Sequence, residues 1–404
     1  MLNLFKSIFD LSSGTILAQI LGILILPIIT RIYSAEEYGL YSLIVQLSIL
    51  FGILLNLRQE QNIQLENDFE LIRAHIFYKN RFFNYLIFIC SAILVLSIYF
   101  SYATPLIISI MSGIFLVLIG YFSSLHIFER NYKTVGFAEL LNKLVFSIFA
   151  IISIKFFSLF NLGMAYLLGL FIKSRFLFSR AEIKWKTPKE HSYVLSKHAG
   201  YSASISHILL AATSLIPMFT INQFFSTEDL GYYSLAVSVI FLPGSIISIS
   251  IGSIFFERLI KEKEKFYRLF GNIFAIALIL STIIFVPFIF FGEIIFGVFL
   301  GSEWSQAGHY ASILAFPALI GFITGCFDRT CFIVENNFHA PIWHFFRALF
   351  TLIASYYCLK NNLTIEVFIY VLSVGQIILY LADFTLQIYY GHKLQKSIST
   401  ISNN

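Results

Sequence analysis

Tyr33-Ser34-Ala35-Glu36-Glu37-Tyr38-Gly39-Leu40-Tyr41-Ser42-Leu43 returns later in the chain as Phe225-Ser226-Thr227-Glu228-Asp229-Leu230-Gly231-Tyr232-Tyr233-Ser234-Leu235. Ser, Glu, Gly, Tyr, Ser and Leu recur at the same spacing. A membrane-long apolar segment with one proline, Pro27 or Pro217, precedes each copy, and another apolar segment follows it. Such a repeat in a membrane protein predicts two structurally equivalent halves with a site between them, as in secondary transporters. The motif itself reads first as a turn-and-cap device. Its Ser can cap the next helix, its acids suit a helix N-terminus, and its Gly opens the turn.

Working outward, 58% of the 404 residues are hydrophobic and only 12% are charged. A soluble domain carries about a quarter charged residues, so the chain reads as a polytopic membrane protein. The formal net charge of +5 is no nucleic-acid signal, because the basic residues fall between apolar runs. The first apolar run is too long for a cleavable signal peptide and has no small-x-small site closing it. Cys90, Cys326, Cys331 and Cys358 form no CxxC pair and read as buried small hydrophobes, so no metal and no redox cofactor is expected.

A spanning helix needs about 20 mostly apolar residues. That ruler gives about twelve spans: 8–30, 39–57, 82–101, 105–127, 136–154, 156–172, 198–224, 230–255, 269–291, 306–326, 341–359 and 364–389. The division inside 136–172 is the weakest, and Gly292 to His309 reads as a loop with a short amphipathic segment. The expected fold is all-α: two six-helix lobes related by a pseudo-two-fold axis, residues 1–172 and 198–404, joined by a basic cytoplasmic linker at 173–197. Alternate gaps between spans separate the positive charge. One set holds nearly all the Lys and Arg, and the other holds only Arg31, Lys155 and Lys360. Positive charge stays inside, so both termini are expected in the cytoplasm, and both halves enter the membrane in the same sense.

The segment from Ile25-Leu26-Pro27-Ile28-Ile29-Thr30-Arg31 through Gly39-Leu40-Tyr41 resembles the opening of Wzx-type oligosaccharide flippases, members of the multidrug/oligosaccharidyl-lipid/polysaccharide exporter superfamily. Leu57-Arg58-Gln59-Glu60-Gln61-Asn62-Ile63, Gly231-Tyr232-Tyr233-Ser234-Leu235-Ala236, Phe241-Leu242-Pro243, Ile254-Phe255-Phe256 and Gly301-Ser302-Glu303-Trp304 continue the likeness in order. The resemblance implies a MATE-like fold of two lobes facing each other as a V, and a transporter, not an enzyme. It implies a short sugar unit on undecaprenyl diphosphate, moved from the cytoplasmic to the periplasmic leaflet of the bacterial inner membrane. A polysaccharide polymerase and a chain-length regulator would be its partners in making O-antigen or a related polymer. The chain departs from the family in its sparse intramembrane charge, which bears on coupling to a proton or sodium gradient.

Charge inside a span is costly and therefore a functional hypothesis by default. Glu139 and Lys143 are spaced i,i+4 and can pair with each other, or Lys143 can meet a substrate phosphate. Arg347, with His344 beside it, can hold diphosphate through its planar fork or snorkel to the headgroups. Arg31 can receive diphosphate on the outer side or anchor its helix end. Asp383, Glu139, Asp10 and His207 are the candidates for ion coupling. Against those readings stand a helix-entry role for Asp10 and a hydrogen-bonded core for His207. Ser12, Ser13, Gly14, Thr15 and Gln19 in the first span and Ser202, Ser204, Ser206, Thr213 and Ser214 in the seventh can contact sugar or let helices pack closely.

Three rivals remain. A cation-coupled drug antiporter of the same superfamily needs acids facing its cavity, and intramembrane acids are scarce here. A polysaccharide polymerase or ligase usually carries a large outer loop bearing Arg and His, whereas the longest outer loop read here, 292–305, holds neither. A lipid II flippase usually has two more spans.

Overall fold

The computed structural model describes residues 2–57, 59–60, 72, 76, 79–90, 104–153, 160–181, 200–333 and 338–402, with backbone alone at 2–13, 15, 200–203, 242–243 and 397–402. Among the described residues all regular structure is helical. In chain order the helices are α1 (Leu2–Ile32), α2 (Ala35–Asn56), α3 (79–90), α4 (Thr104–Phe128), α5 (Tyr132–Ile152), α6 (Asn161–Arg180) and α7 (Gly200–Phe224). They continue as α8 (Thr227–Lys261), α9 (Phe266–Leu300), α10 (Ser305–Gly325), the short α11 (Thr330–Ile333), α12 (His339–Lys360) and α13 (Ile365–Ser402). Ten of the described helices are long and apolar enough to cross a membrane. Side chains such as Phe290, Val298 and Tyr356 stand exposed on them, an arrangement that suits lipid and not water. The chain is a multi-pass membrane protein.

Each span read from the sequence meets a helix, with two changes. The span ending at 172 continues through residues 173–180 as part of α6, because Lys173 is buried and charge-paired instead of closing the helix in solvent. Residues 292–300, read as loop, are the last turns of α9. Inside that helix, Phe291 has non-helical backbone angles (φ −129°, ψ 18°) that mark a kink. Residues 91–101 of the third span and 182–197 of the linker lie outside the described residues.

Both copies of the repeated motif are N-caps. The Ser34 hydroxyl accepts the Glu37 N–H (3.3 Å) while the Glu37 carboxylate accepts the Ser34 N–H (2.9 Å), closing a capping box on α2. The Ser226 hydroxyl accepts the Asp229 N–H (2.9 Å) at the start of α8, and Asp229 in turn accepts the Tyr310 hydroxyl of α10 (3.2 Å). Gly39 and Gly231 do not open the turns as expected. They lie inside α2 and α8 and are buried.

The chain divides into two compact units, Met1–Leu215 and Ile216–Asn404, with the division falling inside α7. In the first unit α2 packs on α4, α1 on α5, and α6 on both α4 and α5. Its core holds Ile44, Ile72, Phe83, Ile108, Ile114, Tyr121, Phe122, Leu125 and Leu177. The Ser204 hydroxyl ties α7 to this unit by donating to the Leu57 carbonyl (2.6 Å), which the left-handed Leu57 (φ 44°) presents beyond the end of α2. In the second unit α10 is central, packed against α8, α9 and α13, and α12 lies on α13.

The contact between α9 and α10 is backbone on backbone. A Cβ on Gly308 would lie 2.5 Å from the Gly292 carbonyl oxygen and 2.6 Å from the Glu293 Cα. Neither atom can rotate away, so Gly308→Val must part the helices. We expect a loss of about 1–3 kcal/mol, the usual cost of overpacking, seen as a lower melting midpoint of the purified protein. Gly271→Ala, where a Cβ meets open space inside α9, should not lower that midpoint.

Candidate functional site

The second unit buries a polar network where α12 meets α13. Tyr380, Asp383, Gln387 and Tyr390 recur on α13 at steps of three and four residues, which places them on one face. Asp383 is 3% exposed. Its Oδ1 accepts from His339 Nε2 at the start of α12 (2.8 Å) and from the Gln387 amide (3.3 Å). Gln387 spends its own carbonyl oxygen on the Cys331 N–H (3.1 Å), so its amide group is the donor. A carboxylate only accepts, so His339 presents Nε2–H to it, and Nδ1 is left to accept the Tyr390 hydroxyl (3.3 Å). A buried carboxylate is retained in an apolar helix because the network satisfies it.

Arg347 lies two turns further along α12. Its Nη2 donates to the Tyr380 hydroxyl (3.3 Å), and its guanidinium carbon sits 5.2 Å from the centre of the Tyr380 ring. Its Nε is buried without a hydrogen-bond partner. Among the described residues Arg347 makes no salt bridge, so a cation is held by an aromatic face and a neutral hydroxyl. Tyr380 is itself pressed against Gly321 of α10, where a Cβ would lie 3.0 Å from the ring. In the turn between α10 and α11, the Asp328 carboxylate lies in the field of Asp383, Arg347, His339 and Arg329.

The first unit carries a second group of charges. Glu139 does not pair with Lys143, as the i,i+4 spacing allows. It pairs with Lys173 of α6, whose side chain is 8% exposed. A long lysine on the neighbouring helix reaches the carboxylate without bending along its own helix, and burial favours the closer pair. Lys143 is left without a salt bridge among the described residues. Its Nζ lies 5.8 Å from the centre of the Phe146 ring, and its chain passes Gly22 of α1, where an added Cβ would lie 3.9 Å from Nζ. Near the end of α2, Asn56 donates to the buried Glu60 (2.5 Å) and accepts from Tyr121 (2.6 Å).

The remaining sequence candidates are dispersed. Arg31 is exposed in the last turn of α1. His344 lies three residues before Arg347 on α12, and His207 is half-buried on α7. The Asp10 side chain lies outside the described residues. Sequence reading overlooked Asp328, His339 and Lys173 as site residues, and Glu60 as a buried acid. His339 and Asp328 fall just outside the apolar spans, but the polar stripe along α13 was a legible sign that something polar must face it. The described residues hold no group of three His, Cys, Asp or Glu side chains that could hold a metal ion.

Residues 28–309 match the family described as polysaccharide biosynthesis protein. The chain belongs to that family. No curated protein matches it in sequence. Among solved structures, the lipid II flippase MurJ in an inward closed conformation matches with a TM-score of 0.71 at 13% identity, over 95% of this chain and 89% of that one. An inward-facing multidrug resistance MATE family transporter of the MOP superfamily matches with a TM-score of 0.61 at 13% identity, over 94% and 96%. A MOP superfamily transporter from Pyrococcus furiosus, described as having a binding pocket of reverse polarity, matches at 0.57 with 14% identity, over 96% of both chains. The fold of this family member is therefore that of MATE transporters and MurJ, as the resemblance in the sequence implied.

Proposed function

We propose that the chain flips undecaprenyl-diphosphate-linked oligosaccharide units from the cytoplasmic to the periplasmic leaflet by alternating access, serving O-antigen or related surface-polysaccharide synthesis. The observation that carries this reading is the polysaccharide-biosynthesis family match on a chain with a transporter's fold. The charges support it. Arg347 and Lys143 are cations in apolar helices without a salt bridge among the described residues, which suits a diphosphate, whereas Asp383 and Glu139 are each spent on a basic partner. A drug-cation antiporter would want the reverse.

The physical task is to carry a charged, hydroxyl-rich head through hydrocarbon, where each unsatisfied polar group costs several kcal/mol. Fixed cations and hydroxyls replace water along the way, and the prenyl tail stays in lipid. The substrate leaves chemically unchanged. The membrane potential helps: about two negative charges leaving a negative interior gain on the order of 5 kcal/mol at 100 mV. The protein would sit in the bacterial inner membrane with both termini cytoplasmic, feeding a polymerase and its chain-length regulator.

Deleting the gene should make lipid-linked sugar accumulate in the cytoplasmic leaflet while its synthesis continues, and re-expression should clear it. Export of that lipid at the parental rate in the deletion strain overturns the reading.

A further inference from the structure

We infer that the end of α9 next to α10 holds a membrane phospholipid by a primary-ammonium headgroup, in a cleft between α9 and the turn into α10. The cleft lies wholly in the second unit and shares no residue with the groups assigned to the transported substrate.

The cleft has a volume of about 310 Å³ and is lined by Glu293, Ile294, Gly297, Val298, Ser302 and Ser305. Small-molecule sites start at about 300 Å³. Gly297 keeps it open, since a Cβ there would lie 3.1 Å from the Ser305 hydroxyl oxygen. Phe290, Ile294 and Val298 follow one another at four-residue steps on α9, so they share a face, and all three stand exposed. Ile276, Ile279 and Ile283, further back on the same helix, are exposed too. An apolar track therefore runs along α9 and ends at a carboxylate and two hydroxyls. That is the order of chain and headgroup in a phospholipid.

Charge selects the headgroup. Among the lining residues Glu293 alone is ionisable. His309 Nδ1 holds its Oε1 (2.8 Å), and its Oε2 makes no hydrogen bond to a described residue. Glu303 in the adjoining turn, and Glu366, 3.7 Å from His309 Nε2, add negative charge nearby. Ser305 donates its hydroxyl hydrogen to the Ser302 carbonyl (2.8 Å), so its oxygen keeps lone pairs for another donor. A primary ammonium carries three N–H donors. Glu293 Oε2 and the hydroxyl oxygens of Ser302 and Ser305 are three acceptors around one cleft. A choline headgroup has the charge but no N–H, and an anionic glycerol headgroup meets a carboxylate of its own sign. The same place joins α9 to α10 through Glu293 and His309 and through the Gly292–Gly308 approach, so a lipid seated there braces that junction.

The test uses the purified full-length protein, stripped of lipid in detergent. It is offered phosphatidylethanolamine, its N-methyl and N,N-dimethyl forms and phosphatidylcholine, all with the same acyl chains. This series keeps the positive charge and removes the N–H donors one at a time. Native mass spectrometry counts the retained lipid, and the melting midpoint is read alongside. Affinity should fall stepwise, by about tenfold from first to last, and phosphatidylethanolamine should raise the midpoint most. Phosphatidylglycerol should bind no better than phosphatidylcholine. Glu293→Gln should flatten the series, and if that variant fails to fold, the series on the unmodified protein still decides. Equal retention of phosphatidylethanolamine and phosphatidylcholine, or a preference for phosphatidylglycerol, overturns the site. An undiminished series in Glu293→Gln overturns it as well. Chainless glycerophosphoethanolamine at equal concentration should not displace the lipid. If it does, the ligand is a free amine and the assignment to a lipid falls.

Discussion

Arg347→Ala should cut export of lipid-linked sugar by about tenfold to a hundredfold, and Arg347→Lys by clearly less. A hydrogen bond between an ionised group and its partner contributes about 1.5–3 kcal/mol, and each 1.4 kcal/mol is a factor of ten. Alanine removes both the charge and the planar fork. Lysine keeps a point charge but cannot make two parallel bonds to phosphate oxygens. The structural cost of the change is small by comparison. Arg347 gives up one 3.3 Å hydrogen bond to a tyrosine hydroxyl and a place over its ring, and it leaves no carboxylate stranded in a salt bridge. Transport should therefore fall while the melting midpoint of the purified protein hardly moves. The measurement is lipid-linked sugar reaching the outer leaflet in a deletion strain carrying each variant at matched protein levels. If both variants restore export fully, Arg347 does not touch the substrate.

The fold was legible because membrane helices announce themselves by length and apolarity, and because the repeat at Ser34 and Ser226 fixes two equivalent starting points. What was misjudged has one physical source: charge was treated as a boundary. Lys173 looked like the edge of a basic linker, yet it is buried inside α6 because Glu139 neutralises it from α5. Glu293 and His309 looked like the ends of a loop, yet they pair (2.8 Å) across the packed ends of α9 and α10. The pairing of Glu139 was misassigned for a related reason. Spacing along one helix shows which residues share a face, but not which neighbouring helix offers a closer partner. The candidate site was half legible. Arg347 and Asp383 stand out as charges in apolar spans, whereas His339 and Asp328 belong to the segments between spans, and only tertiary packing brings them to the same cluster.

Asp383→Ala should be among the most destabilising substitutions in the second unit. It removes the acceptor shared by His339 and Gln387 and leaves two donors buried. A stranded buried donor costs about 1–3 kcal/mol, so the pair together should cost about 2–6 kcal/mol. Asp383→Asn, which keeps an oxygen at the same place, should cost less. The readout is the unfolding midpoint in detergent, and His339→Ala should lower it too, because it leaves a buried carboxylate with only Gln387 for support. The informative variant is the double one. Residues that share one network are not additive, and replacing a buried polar pair with apolar side chains of similar volume is often neutral or stabilising. His339→Leu combined with Asp383→Leu should therefore recover much of the midpoint that either single loss to alanine forfeits. If its midpoint returns and export does not, the network serves transport, since packing alone no longer needs it. If export returns as well, the network is a device for registering α12 against α13, and Asp383 has no part in coupling.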